Sequence, residues 1–318
     1  MMKMNTKKIA SYLLEKRSIV ILIILLLCAC LFTTEFLKPS NLSNVLLQVA
    51  TDGIVAVGVT FIVLTGGIDL SVGSQIALTS VIVVMMQPKF GTLLGVLTAI
   101  AAGLVIGLLN GLLITRVGIS PFVTTLGMMT LIKGVALAVS DSRSHSGIDP
   151  VFAHLADQRI LGIPFAAIIF ILFVLIGNWF LTRTTVGRRY YAVGGNPEAA
   201  WLAGLNTNAL VLSVYVIGAF CTTIAGILLT SRINTGSPII AGDTGTTVIS
   251  AILLGGTSMA GGIGTVYGTL VGTLILGILK NGMNLMGING YFQTIILGTL
   301  LVISVLADRS HYDTKREG

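Results

Sequence analysis

The chain has 318 residues, of which 54% are hydrophobic and only 10% charged, and its formal net charge is +7. A soluble domain carries about 25% charged residues, so the composition excludes a water-soluble globular fold and indicates a polytopic membrane protein. The positive charge does not imply nucleic acid, because the basic residues stand at the ends of apolar runs, where they orient helices against a membrane.

Residues 1–17 are basic, with Lys3, Lys7, Lys8, Lys16 and Arg17 against Glu15. Residues 19–37 form a first apolar run. Its LCAC stretch at 27–30 has a faint likeness to a lipoprotein cleavage box, so a cleaved signal peptide competes with an uncleaved anchor, and the many further runs favour the anchor. Apolar runs follow at 45–65, 71–86, 91–115, 121–140, 164–181, 210–231, 246–260, 264–283 and 291–307. The pattern predicts an all-α membrane helix bundle of about ten transmembrane helices. The runs at 71–86 and 246–260 are short for a full crossing and are candidates for broken or re-entrant segments.

With the N-terminus inside, the inner loops hold the N-terminal basic residues, Arg116, Arg183, Arg188, Arg189, Arg309, Lys315 and Arg316. The outer loops hold only Lys38, Lys89, Arg143, Arg159 and Arg232. This asymmetry places both termini in the cytoplasm. The expected organisation is one transmembrane domain over 1–318, with cytoplasmic tails at 1–17 and 308–318 and a cytoplasmic loop at 182–209. The other long loop, 141–163, is then outside. Its His145 and His154 match no metal spacing. Cys28, Cys30 and Cys221 lie in apolar runs and suggest neither a metal site nor a disulfide framework.

The 182–209 loop contains a short helix with readable ends. Asn196 can cap it, Pro197 suits its first position, and Gly204 can close it in a left-handed conformation. Glu198 falls in the first turn, where the helix dipole favours an anion. Ala199, Leu202 and Ala203 recur at i, i+3, i+4 and predict one apolar face. So short a helix is not stable alone. It packs either on a soluble partner, as a docking element, or on its own bundle.

The stretch TGGIDLSVGS at 65–74 places Asp69 between two apolar runs. An acid there must be paired or hydrogen-bonded. It can cap the following helix, helped by Ser71 and Ser74, or serve as a proton or ion site. Gly103, Gly107 and Gly111 form a ladder with period four, as do Gly264, Gly268 and Gly272, and both predict close helix contact. Asn110, Thr265 and Thr269 lie beside them and can bond across helices or line a polar path. The glycine-rich GGTSMAGGIG at 255–264, with Thr257 and Ser258, lacks the Gly-Lys-Ser/Thr ending of a phosphate-binding loop, as does the whole chain. Any ATP must therefore be bound by another polypeptide. There is no catalytic constellation of serine, histidine or carboxylates, so the chain is not read as an enzyme.

Three stretches taken together, TGGIDLSVGS at 65–74, GGNPEAAWLAGLN at 194–206 and AILLGGTSMAGGIGTVYGTLVGTLILGILKNGMNLMGINGYFQ at 251–293, resemble the permease subunits of ribose-type sugar importers of the ATP-binding-cassette class. PFVTTLGMM at 121–129 adds to the likeness, which runs from about 45 to 308. The resemblance implies a dimeric channel in the bacterial cytoplasmic (inner) membrane, most simply a homodimer. It also implies one ATPase subunit, holding ATP and Mg, docked under each permease, and an extracytoplasmic binding protein delivering a monosaccharide. Glu198, Ala199, Ala200 and Gly204 are similar to the family's ATPase-contacting box, although its longer form is missing here. Lys280 stands where a small or polar residue is expected. Asp69, Ser71, Ser74, Asn110, Thr257 and Ser258 are the candidate polar residues of a pathway or of the frame around it. The competing readings are a secondary transporter coupled to ions through Asp69 and Lys133, and a membrane scaffold. The docking helix favours the importer, whose choice of sugar would lie largely in its binding protein.

Overall fold

The computed structural model describes residues 17–316, with the side chains of Arg17, Phe32 and 307–316 left aside. The expected basic tail at 1–17 lies, except for Arg17, outside this range. Among the described residues there are 12 helices, with strands limited to two pairs of two residues each. They run α1 (Arg17–Phe32), α2 (Pro39–Leu64), α3 (Val72–Leu112), α4 (Pro121–Val139), α5 (Pro150–Ala153), α6 (Phe165–Arg183), α7 (Thr185–Gly195), α8 (Pro197–Leu202), α9 (Thr207–Ile233), α10 (Thr244–Leu254), α11 (Val266–Leu285) and α12 (Gly290–Arg316). Among the described residues six helices are long and apolar enough to cross a membrane, and α1, α10 and α12 add shorter apolar lengths. The chain is therefore an all-α membrane bundle.

α2 is the axis of the bundle. It is buried along most of its length, from Val45 to Leu64, and α6, α9, α10 and α11 pack around it. This explains why its sequence is apolar on every side rather than on one stripe.

α3 is a hairpin rather than a single rod. Gly91 takes φ 77 and ψ 163 and reverses the chain. Its second half lies along its first: a Cβ at Gly95 would meet the Val83 carbonyl, and Gly103 sits beside the Gln75 amide. The sequence separated these two runs at the right place. The second half then lies against α9 through the Gly103–Gly107–Gly111 ladder, where added Cβ atoms would strike Thr223, Ala219 and Leu212 in turn. The half ends in a π-helical turn, Leu113–Val117.

The second predicted ladder holds only in part. Gly268 faces Gly255, and Gly272 faces the Ala251 carbonyl, so α11 and α10 touch through backbone. Gly264 lies outside the helix, because Thr265 is the cap: its hydroxyl accepts from the Gly268 amide at 2.9 Å and starts α11 after it.

The short run at 246–260 is a half-length helix. α10 has 11 residues, about 16 Å of rise against a hydrocarbon core of about 30 Å. An extended and turning segment at 235–243 precedes it. Ser80 ties that segment to α3, donating to the Ser237 carbonyl at 3.2 Å and accepting from the Ser237 amide at 3.0 Å. Further along, the Ala241 carbonyl packs on Gly73.

The two long polar loops sit at opposite ends of α2. Arg159 donates to Ser43 near its start, while Gly194 packs on the Leu64 carbonyl at its end. In the first loop, Asp149 caps α5 and accepts from the Val151 and Phe152 amides. Its carboxyl is held below the usual range by a hydrogen bond from Thr92 and by these two amides. At the other end of the chain α12 continues as helix through Arg316, into the residues expected as the C-terminal tail at 308–318.

Candidate coupling site and polar pathway

The 182–209 loop contains two helices rather than one. α7 begins at Thr184, whose side chain accepts from the Gly187 amide at 3.0 Å. It is fastened to the bundle by two tyrosines. Tyr190 is buried, with its ring against Phe61 and Phe180 and its hydroxyl 2.8 Å from that of Ser213 on α9. Tyr191 donates to the Gly264 carbonyl at 2.9 Å. Burial pushes both hydroxyls above their ordinary range, against the pull of the Ser213 hydrogen bond in the case of Tyr190, so both stay neutral donors. A Cβ on Gly194 would overlap the Leu64 carbonyl, which also accepts from the Gly262 amide at 2.9 Å. The end of α7, the end of α2 and the glycine-rich loop thus meet at one backbone junction.

α8 follows with the ends read from sequence. Asn196 accepts from the Ala199 amide at 2.9 Å, Pro197 opens the helix, and Glu198 is exposed in its first turn. Gly204 has φ 82, and the Leu205 amide closes on the Ala200 carbonyl at 3.1 Å. The predicted apolar face is left uncovered by the bundle. Ala199, Leu202 and Ala203 are exposed, and Ala200 is the position buried against the bundle. A six-residue helix held at both ends by caps needs only one seated side chain, so its period of 3.6 does not report burial. The face left uncovered carries Trp201 and Leu202, 65% and 72% exposed. Trp201 escaped the sequence reading, and the available signal was a tryptophan inside a polar loop, one of two in the chain.

The candidate polar residues fall into three places. Asp69 is buried and accepts at one oxygen from the Ser71 amide (2.8 Å) and hydroxyl (2.6 Å). Asn110 donates to the same Ser71 hydroxyl at 3.1 Å. These three residues form one hydrogen-bonded chain between the 65–71 turn and the second half of α3. The cap expectation is corrected: Ser71 occupies the N-cap, and no side chain caps α3. Asp69 fixes the turn before it instead, and Tyr215 helps by donating to the Ile68 carbonyl at 3.1 Å. Ser74 lies apart and lines a groove facing α4. Thr257 and Ser258 lie in the glycine-rich loop, where Thr257 is buried against Gly264 and the Ser258 hydroxyl accepts from the Ala260 amide at 3.3 Å.

Lys280 acquires a setting that the sequence did not give it. Together with Asp52 of α2 it lines a cavity of about 10 Å³, with Gln48, Thr247 and Thr273 around it, room for about one water. Opposite charges sharing such a cavity each reduce the cost of the other at membrane depth. Among the described residues there is no group of three or more metal-ligating side chains.

Residues 41–305 match the family described as branched-chain amino acid transport system, permease component. The chain is 38% identical over 291 residues to the ribose import permease protein of Bacillus subtilis strain 168, covering 91% of this chain and 90% of that one. It is 35% identical over 306 residues to the ribose import permease protein of Escherichia coli K12, covering 94% of each. It is 33% identical over 340 residues to the galactose/methyl galactoside import permease protein of the same strain, covering 99% of this chain and all of that one. No solved structure matches.

Proposed function

We propose, because this chain belongs to the family of permease components of branched-chain amino acid transport systems, that it is the membrane-spanning subunit of an ATP-driven monosaccharide importer. The observation that carries the reading is its similarity along nearly the whole chain to permeases named for ribose and galactosides. A sugar therefore fits better than the amino acids of the family's description. In this reading the chain is one domain of ten spans in the bacterial inner membrane, with both termini cytoplasmic and two copies forming the channel. The charge asymmetry of the loops supports that orientation, as does the position of the two long loops at opposite ends of α2.

A separate ATPase subunit holds ATP and Mg, and α8 is its docking element through Glu198, Ala199, Ala200 and Gly204. The uncovered Trp201 and Leu202 support this, since a soluble partner would bury them. Motion of the ATPase then passes through α7 to the junction of Gly194, Leu64 and Gly262, and so to the ends of α2 and α11. A binding protein delivers the sugar to the other end.

Two measurements test the reading. Proteoliposomes holding the permease, the ATPase and the binding protein should take up ribose or galactose only with ATP inside the ATPase compartment, and a pH gradient across permease-only vesicles should drive none. Gly204→Asp should insert normally, at a local cost of about 1–2 kcal/mol, yet lose the co-purifying ATPase. Gradient-driven uptake by the permease alone would overturn the importer, and equal ATPase recovery with Gly204→Asp would displace the docking site from α8.

A further inference from the structure

One groove in the bundle combines features that membrane-facing surfaces avoid. It lies between the start of α3, the middle of α4 and the segment at 238–242, and its volume is about 330 Å³, within the range of small-molecule sites. Ser74, Thr130 and Lys133 line it together with that segment.

The segment is the first observation. Residues 237–243 belong to none of the helices, yet they run beside Ser80 and Gly73 of α3. Gly73 lies two residues, about 3 Å of helix rise, from Gln75 and its contact with Thr223 near the centre of α9, so the segment is at membrane depth. Irregular backbone is tolerated there only where protein buries it or where it lines a water-filled cavity. Ile239 is 72% exposed, and Gly242 and Asp243 are exposed beside it. The chain buries Ser237 and Pro238 but leaves 239, 242 and 243 uncovered, which fits the lining of a water-filled cavity.

Lys133 is the second observation. It stands 12 residues past Pro121, about 18 Å along a helix whose buried face is Thr125, Met128, Ile132 and Ala136. Lys133 is off that face and exposed toward the groove. Among the described residues the ion pair is Lys38 with Glu35, so Lys133 has no carboxylate within 4.0 Å. A cation at this depth marks a polar path or a ligand contact. Its neighbours supply the Ser74 and Thr130 hydroxyls and backbone groups but no carboxylate, a set that matches a neutral, many-hydroxyl ligand rather than a cation.

We propose that this groove is a polyol-binding subsite of the translocation path, with Lys133 donating to the oxygens of a passing monosaccharide and Ser74, Thr130 and the backbone of 238–242 completing the contact. The proposal rests on the importer reading above and assigns the path within it. A broken span whose unwound backbone meets the substrate is a design that transporters use elsewhere.

The test separates the two. In a permease whose Cys28, Cys30 and Cys221 are replaced by Ala, single cysteines are placed at Thr130, Ile239 and, as a control on the same helix outside the groove, Leu131. The full complex with ATPase and binding protein is treated in membranes with a charged, water-soluble methanethiosulfonate. Thr130→Cys and Ile239→Cys should react about tenfold or more faster than Leu131→Cys, the direct sign of water at membrane depth. Ribose or galactose with ATP should slow the reaction. Lys133→Met should raise the KM for uptake about tenfold, as loss of one charged donor does, while Lys133→Arg restores it. Equal, slow labelling at all three positions would overturn the proposal, because the groove would then be closed by lipid or by the second copy. Rapid labelling together with unchanged uptake kinetics in Lys133→Met would also overturn it, leaving a wet groove that does not touch sugar. Neither result bears on whether the unsubstituted complex imports sugar with ATP, which is measured independently.

Discussion

Along the second half of α3, glycines recur at every fourth position and bring that helix into backbone contact with α9. Along 255–264 they come in pairs, and Gly256, Gly261, Gly262 and Gly264 all take positive φ. The first arrangement makes a seam: three missing side chains let two helices close on each other, with Gln75 donating across it to Thr223 at 2.8 Å and to the Ala219 carbonyl at 2.7 Å. The second makes a joint: the loop folds over the Leu64 carbonyl and touches α7 through Gly194 and Gly195. Glycine content alone does not distinguish the two. Spacing does, because a period of four keeps the residues on one helix face, whereas adjacent glycines break the helix.

The largest effect is expected at the seam. In Gly107→Leu the new side chain meets the Tyr215 carbonyl and the Val216 Cα, which are backbone atoms that cannot turn aside. The cost should reach about 3 kcal/mol or more, and the yield of monodisperse permease in detergent should collapse. Gly134→Leu is the matched control, since nothing lies within 4 Å of that position. Equal yields from the two would show that the ladder is incidental and that the bundle is held elsewhere.

A smaller and different effect is expected at the joint. Gly262 has φ 72, and a Cβ there would meet the Gly195 backbone at 2.8 Å. Gly262→Ala should cost about 1–3 kcal/mol of local strain and leave the protein assembled. What should drop is sugar-stimulated ATP hydrolysis in the full complex, with basal hydrolysis kept. A fall in yield matching that of Gly107→Leu would place this loop with the seam and remove the distinction.

The sequence made some of this legible. Each of the ten apolar runs meets a helix or half-helix of the structure, since apolar length between polar loops is a strong local signal. The caps of α8 were readable for the same reason: Asn196, Pro197 and Gly204 act on backbone within a few residues of themselves. What escaped depends on distant partners. α7 does carry a buried stripe, Gly187, Tyr190, Val193 and Gly194, but two glycines of it offer no apolar side chain to read, and the helix is held by Ser213 and Gly264, far along the chain. Asp69 sits near a helix start but serves the turn before it, a choice set by Asn110 and Tyr215 across the bundle. The short eighth run could be flagged as short, but not that an extended segment completes it, because that segment is fixed by Ser80 on another helix. Lys280 had no rationale until α2 brought Asp52 to the same cavity.

The smallest effect sharpens the account of the joint. Tyr191→Phe keeps the ring and removes a single hydrogen bond, the donation to the Gly264 carbonyl. That carbonyl lies just before the Thr265 cap of α11, so the bond ties the loop helix to the start of a long bundle helix. One hydrogen bond of this kind contributes about 1 kcal/mol, too little to threaten folding. Thermal stability in detergent should therefore change little, and ATPase recovery should equal that of the unsubstituted permease, because α8 keeps both caps. If motion passes from α7 to α11 through this contact, the yield of sugar transported per ATP should fall, with the KM for sugar unchanged. Tyr190→Phe is the contrast on the same helix: its hydroxyl meets Ser213 of α9, away from the glycine-rich loop. Loss of coupling in Tyr191→Phe but not in Tyr190→Phe would identify the Gly264 contact as the one that transmits motion. Equal coupling in both would leave the backbone junction at Gly194, Leu64 and Gly262 as the whole of the joint.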